Sequence, residues 1–186
     1  MSAQQKIIKL TARGLAKYIV ASPATQRRVL EDFKYAAGDE PFAMRTYYRE
    51  VKDRIRSFHR DAHPADWLQQ QAALVLASSR EETGKTVQRL EQNARAIRQY
   101  EQLFSGRRFE VLDPCRFRLT YFDVSISVVP DLHIREDNKV KLLKVQFGGP
   151  AEKEQGIRVM TQCLLEAANA AGYGLPHTSA IYLDLP

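Results

Sequence analysis

The sequence has little that would hold a protein together through covalent or metal cross-links. Only two cysteines occur, Cys115 and Cys163, and their separation fits neither a metal-binding pair nor a redox motif. A disulfide framework is therefore not expected, and the cytoplasm is the default location. No run of eighteen apolar residues is present, so no membrane-spanning helix is expected. Residues 1–6 also lack the apolar core of a secretory signal peptide.

Acidic residues are fewer than basic ones: there are 22 aspartates and glutamates against 28 lysines and arginines. Residues 1–110 hold 20 basic and 13 acidic side chains, whereas residues 111–186 hold 8 and 9. The positive excess in the first part indicates a polyanion partner, usually nucleic acid. Because the basic residues are dispersed, an arginine-rich solvated surface is an equally good interpretation. The candidate nucleic-acid-binding residues are arginines in local pairs or on one helix, namely Arg27, Arg28, Arg54, Arg56, Arg95, Arg98, Arg107 and Arg108.

Helical periodicity dominates residues 1–110. Apolar residues recur there at intervals of three and four, and Ser22 followed by Pro23 is typical of a helix start. The clearest helix runs from Lys85 to Phe104, with one apolar stripe. The patterns predict helices over residues 11–20, 23–35, 41–58, 67–79 and 85–104.

The periodicity changes to that of strands after residue 111. Apolar residues alternate from Phe117 to Val128, and the segment continues past Pro130, which suggests a sheet edge or a bulge. Residues 136–138 are a hairpin-turn candidate, and residues 139–147 form the next predicted strand. The adjacent Leu142 and Leu143 break its alternation, as a bulge or burial on both faces would. A helix over residues 151–171 and a strand over residues 179–185 complete the pattern.

These elements predict an α/β (α+β) protein. A basic helical region, residues 1–110, would pack on a β-β-β-α-β core with a mixed sheet, residues 111–186, as one structural unit. The predicted helix between the last two strands acts as a crossover, so those strands should be parallel.

Three segments together resemble the PD-(D/E)XK nuclease superfamily, in particular its RecB-like branch. They are residues 10–23, LTARGLAKYIVASP, residues 128–132, VVPDL, and residues 142–148, LLKVQFG. The first resembles the opening helix of that branch, the second its strand with a metal-binding aspartate, and the third its strand with an acidic-x-Lys pair. The resemblance implies a restriction-endonuclease-like core. It places Asp131, Lys144 and Gln146 at the catalytic positions.

The chain departs from that family at two of these positions. In such nucleases two carboxylates on adjacent strands hold Mg²⁺, which polarises the scissile phosphate and activates water. Here Asp131 takes the first carboxylate position, but Lys144 replaces the second carboxylate and Gln146 replaces the lysine. A single carboxylate, Asp131, is a weak metal ligand, so a degenerate site without cofactor is expected. Lys144 would then pair with Asp131 or contact phosphate; otherwise Lys144 is a solvent-facing strand residue and Asp131 a turn residue.

Three hypotheses for function follow. The leading one is a nucleic-acid-associated, DNA-binding protein with a nuclease-like fold and no catalysis. The second is an active Mg²⁺-dependent DNA nuclease, in which Glu136 or Asp123 supplies a migrated ligand. The third is an interaction subunit or inhibitor whose basic helices bind an acidic protein partner.

Overall fold

The computed structural model describes residues 7–35, 47–148 and 151–185. The helices in these ranges are α1 (Ala12–Ile19), α2 (Pro23–Tyr35), α3 (Arg49–Arg60), α4 (Trp67–Ser78), α5 (Lys85–Phe104) and α6 (Glu154–Ala170). The strands are β1 (Ile8–Thr11), β2 (Glu110–Val111), β3 (Phe117–Tyr121), β4 (Val124–Val128), β5 (Leu132–Glu136), β6 (Lys139–Phe147) and β7 (Ala180–Leu185).

Local sequence signals set the helix starts. The Thr11 hydroxyl accepts a hydrogen bond from the Gly14 amide at 3.0 Å and caps α1, and α2 begins at Pro23 as predicted. Helix α5 has the predicted bounds. The predicted helix over residues 41–58 falls partly outside the described residues; its described part, α3, begins at Arg49.

The strands form two sheets. One has the order β1-β4-β3, with β1 parallel and β3 antiparallel to β4. The other has the order β2-β5-β6-β7, in which β5 and β6 form a hairpin and β7 runs parallel to β6 across α6. The predicted α+β class is confirmed, and so is the parallel pairing of the last two strands.

The arrangement differs from the predicted core in three respects. Residues 8–11 form β1 in the first sheet, whereas the predicted helix began at Thr11 and no element was predicted for residues 8–10. Strand β2 crosses the expected boundary between residues 110 and 111. Four strands rather than three lie between residue 117 and helix α6, in two sheets rather than one mixed sheet. Pro130, which has no amide hydrogen to donate to a strand pairing, lies between β4 and β5, where the chain passes from one sheet to the other.

Two cores lie on opposite faces of the second sheet. Leu143 packs with Ile55, Tyr100 and other residues of α3, α4 and α5, whereas Leu142 packs with Leu164 and the first sheet. Both leucines are 0% exposed, which confirms that burial on both faces breaks their alternation. The β5–β6 turn places Asp137 and Asn138 at positive φ, as a tight hairpin requires. Among the described residues, no helix is both long and apolar enough to cross a membrane.

A buried histidine lies beside the core that contains Leu143. His59 is 7% exposed, its Nε2 lies 2.9 Å from the Tyr100 hydroxyl, and its ring stacks on Phe109. Its Nδ1 is buried with no hydrogen-bond partner among the described residues. Burial, together with the charges of Arg108 and Arg107, lowers the pKa of His59 to about 4. The neutral imidazole is therefore the form that the folded protein accommodates.

This histidine should make the protein acid-sensitive between pH 6.5 and 4. Over that range the unfolded chain binds a proton that the folded chain does not, so the free energy of unfolding should fall by up to about 3 kcal/mol as the pH drops. Urea unfolding followed at several pH values measures this slope. The variant His59→Gln should flatten it. An unchanged slope in His59→Gln would contradict the assignment.

Candidate functional site

Asp131 lies at the junction between the two sheets, directly before β5. Its backbone amide donates to the Leu143 carbonyl at 2.8 Å, which continues the β5–β6 ladder by one residue. Its side chain is 8% exposed, and the Val145 amide donates to Oδ2 at 2.9 Å. The backbone of both strands thus fixes the carboxylate in a nearly dry position.

Lys144 reaches this carboxylate from β6. The Leu132–Leu143 register sets Asp131 opposite Lys144, and the Lys144 Nζ lies 3.0 Å from Oδ2. The ion pair expected between these two residues is therefore present. Nζ also lies 3.4 Å from the Val129 carbonyl, in the residue that follows β4.

A second lysine, which the sequence analysis did not identify, completes the site. Lys52 on α3 places its Nζ 2.6 Å from Asp131 Oδ1. One helical turn later, Arg56 donates from its guanidinium to the Asp131 backbone carbonyl at 2.8 Å. We call Lys52, Arg56, Asp131 and Lys144 the Asp131 cluster. The four-residue spacing of Lys52 and Arg56 was visible in the sequence, but the docking of α3 on Asp131 was not.

The charges in the cluster keep Asp131 ionised. Burial alone would raise the pKa of this carboxyl, but the nearby Lys144 and Lys52 charges and the hydrogen bonds from Lys52 and Val145 outweigh it. The pKa of Asp131 therefore lies below its ordinary value. The lysine side chains are 32% and 29% exposed, whereas that of Asp131 is 8% exposed, so the lysines are partly open to solvent and the carboxylate is nearly closed to it.

Gln146 lies on the same face of β6 as Lys144 but takes another partner. Its amide donates to the Gly148 carbonyl at 3.1 Å. Next to these residues, β7 places Tyr182 opposite Lys144 and Asp184 opposite Gln146. The Tyr182 hydroxyl is buried without a hydrogen-bond partner among the described residues. Burial and the neighbouring Asp184 raise the pKa of Tyr182 to about 12, so the phenol stays protonated.

The carboxylates considered as migrated metal ligands lie elsewhere. Glu136, at the opposite end of β5, accepts hydrogen bonds from Arg107 at 2.8 and 2.6 Å and from Lys141 at 2.6 Å. These contacts, chiefly with Arg107, lower the pKa of Glu136 to about 2. Asp123 lies in the turn before β4, where its carbonyl accepts the Ile8 amide. Across the described ranges, no three histidine, cysteine, aspartate or glutamate residues are grouped as metal ligands.

The eight candidate arginines occupy four separate positions, on α2, α3, α5 and the loop after α5. Several have structural partners: Arg27 pairs with Glu31 at 2.9 Å, and Arg107 is bound to Glu136. Arg54 approaches Glu50 at 3.9 Å and Arg56 contacts Asp53 at 3.3 Å. The remaining four side chains are exposed, namely Arg28, Arg95, Arg98 and Arg108.

An open pocket of about 680 Å³ lies near the last of these arginines. His59, Phe109 and Arg108 line it together with Arg135 of β5 and the β5–β6 turn. The two arginines of this pocket are balanced in charge by Glu110 and Asp137, so the pocket has no marked preference for an anion. Asp131 does not line it, so the Asp131 cluster is a separate site.

Comparison of the chain with protein-family models, with curated proteins and with solved structures gave no match. Function therefore has to be argued from the geometry of the site.

Removing the Asp131 charge should destabilise the protein, because two ammonium groups would then lie against each other. We expect Asp131→Asn to lower the free energy of unfolding by about 2–4 kcal/mol, and Lys144→Met to lower it by about 1 kcal/mol because Lys52 remains. Combined in one chain, Asp131→Asn and Lys144→Met should show a coupling energy between the two residues of at least about 1 kcal/mol in urea unfolding.

The exposed pair of Arg27 and Glu31 is a matched control. The corresponding cycle with Arg27→Met and Glu31→Gln should give less than about 0.5 kcal/mol. Equal coupling energies for the two pairs would show that the Asp131 cluster is no more than an ordinary surface contact.

Proposed function

We propose that the chain is a nucleic-acid-associated protein that uses a nuclease-like fold without metal-dependent catalysis. The observation that carries this proposal is the pairing of Asp131 with two lysines, one at each carboxylate oxygen, at 2.6 and 3.0 Å. In a nuclease of the kind that the sequence resembles, a divalent cation would be bound by this aspartate.

The contacts of Asp131 argue against a metal-ligand role. Two ammonium groups and the Val145 amide already occupy its oxygens. A Mg²⁺ ion would have to displace at least one lysine, would find a single carboxylate, and would lie beside the displaced charge. The lysines therefore supply internally the positive charge that a metal would otherwise bring.

The cluster also has more positive than negative charge. Lys52, Arg56 and Lys144 outnumber the carboxylates of Asp131 and Asp53, which contact them. Because the cationic groups border on solvent, they can attract phosphate, for which lysine and arginine are the usual protein ligands. The positive excess of residues 1–110 supports the same class of partner.

Binding to labelled single-stranded DNA, duplex DNA and RNA, measured by fluorescence anisotropy at increasing salt, tests the proposal. The logarithm of the binding constant should fall linearly with the logarithm of the salt concentration. Each phosphate contact on a duplex should steepen that slope by about 0.9. The single variants Lys52→Gln and Lys144→Gln, each of which leaves one lysine on the buried Asp131 carboxylate, should bind less tightly and with a shallower slope. The single variants Lys139→Gln and Lys85→Gln, which remove the same charge from exposed sites, are the controls. The nucleic acid should remain intact in Mg²⁺ or Mn²⁺.

Other outcomes would replace the proposal. Cleavage in Mg²⁺ or Mn²⁺ that Asp131→Ala abolishes would establish an active nuclease. A flat salt response or no binding would remove nucleic acid as the partner. Co-purification with one acidic protein, unaffected by nuclease treatment, would then favour the interaction subunit.

A further inference from the structure

The outer face of the β1-β4-β3 sheet has an unusual composition. The inner face carries Leu10, Leu119 and Ile126, which are buried against α6 and its neighbours. Alternation therefore turns the intervening residues outward. Apart from Thr11, whose hydroxyl caps α1, the outward residues of the three strands and the residue before β3 are Lys9, Ser125, Ser127, Arg116, Arg118 and Thr120. This set, called the outer sheet face below, contains three cations and three hydroxyls and no carboxylate.

The register arranges these side chains in rows across the sheet. Lys9 lies beside Ser125, which pairs with Thr120, and the next row along pairs Ser127 with Arg118. Rows are about 6.6 Å apart, since alternate residues of a strand face the same side. None of the ion pairs among the described residues involves Lys9, Arg116 or Arg118. Their charges are thus not neutralised by a described neighbour.

An aromatic side chain lies at one end of this face. Phe122, at the tip of the β3–β4 hairpin, is 101% exposed and has a φ of 49°. A bulky residue is disfavoured at positive φ, where a two-residue hairpin turn normally uses glycine or asparagine. The fold gains no packing from this ring, and the turn is more strained than it would be with glycine. A contact made by the ring outside the chain would explain its presence.

We propose that the outer sheet face binds single-stranded nucleic acid, with the phosphates on its cations and hydroxyls and a base stacked on Phe122. Paired cations and hydroxyls without acids complement a phosphodiester backbone, and aromatic rings next to such a surface are the usual stacking platforms for unpaired bases. This surface is distinct from the Asp131 cluster. The inference rests on the proposed function only in requiring a nucleic-acid partner.

Binding of fluorescein-labelled oligothymidylate to the whole chain tests the inference. Lys9→Gln with Arg118→Gln should reduce the logarithmic salt slope by about 1.4, which corresponds to two phosphate contacts on a single strand. Lys85→Gln with Lys153→Gln removes two exposed charges elsewhere and should leave the slope at the wild-type value. If the two double variants behave alike while the wild type binds, the outer sheet face is not the binding surface and the proposed function stands. If the wild type binds neither oligothymidylate, duplex DNA nor RNA, both proposals are wrong.

Phe122 provides a second and independent readout. Phe122→Ala should weaken oligothymidylate binding by about five- to a hundredfold, the range of one lost base stack. Phe122→Trp should retain the affinity, and its added tryptophan fluorescence should be quenched by the oligonucleotide. Phe122→Gly should melt at the same temperature as the wild type or higher, because glycine tolerates the positive φ, while binding as poorly as Phe122→Ala. Unchanged binding in Phe122→Ala, or binding of phosphatidylserine vesicles instead of oligothymidylate, would overturn the inference.

Discussion

The Asp131 carboxylate, held between Lys52 and Lys144, is the interaction on which the account depends. It joins three parts of the chain, since Lys52 belongs to α3, Lys144 to β6 and Asp131 to the junction between the sheets. A carboxylate with 8% exposure is stable there only because both oxygens have cationic partners. Under the proposed function, the same contacts that stabilise the junction occupy the position at which a nuclease would bind its metal. Structural stability and the proposed loss of catalysis thus have one physical cause.

The site lies where the chain passes from one sheet to the other, next to Pro130. Strand β4 ends in one sheet, β5 begins in the other, and Asp131 lies between them with its amide bonded to Leu143. One sheet contributes its inner face to the core around α6 and leaves an outer face of cations and hydroxyls. Strand β4, which carries part of the outer sheet face, thus ends three residues before Asp131, and a phosphate-bearing partner is proposed for both surfaces.

Much of this arrangement follows from local pattern, and the rest from contacts distant in sequence. Alternation and the turn at residues 136–138 predict the β5–β6 hairpin, and the hairpin register brings Lys144 to Asp131. Lys52 could not be predicted in this way, because its contact depends on how α3 packs across the sheet. The four residues of β1 are too few for a clear period, and its partner, β4, is more than a hundred residues away. For the arginine pairs, closeness in sequence was misleading. Arg107 and Arg108 were predicted together as nucleic-acid-binding residues because they are adjacent, but Arg107 forms an ion pair with Glu136.

The most direct measurement is the titration of the Asp131 side-chain carboxyl by carbon-13 NMR, with and without Mg²⁺. The carboxylate should stay ionised below the ordinary aspartate range, because the charges of Lys144 and Lys52 stabilise its anionic form. Its resonance should not change when millimolar Mg²⁺ is added. A Mg²⁺-dependent shift of that resonance, or a pKa at or above the ordinary value, would contradict the claim that lysines have taken the place of the metal.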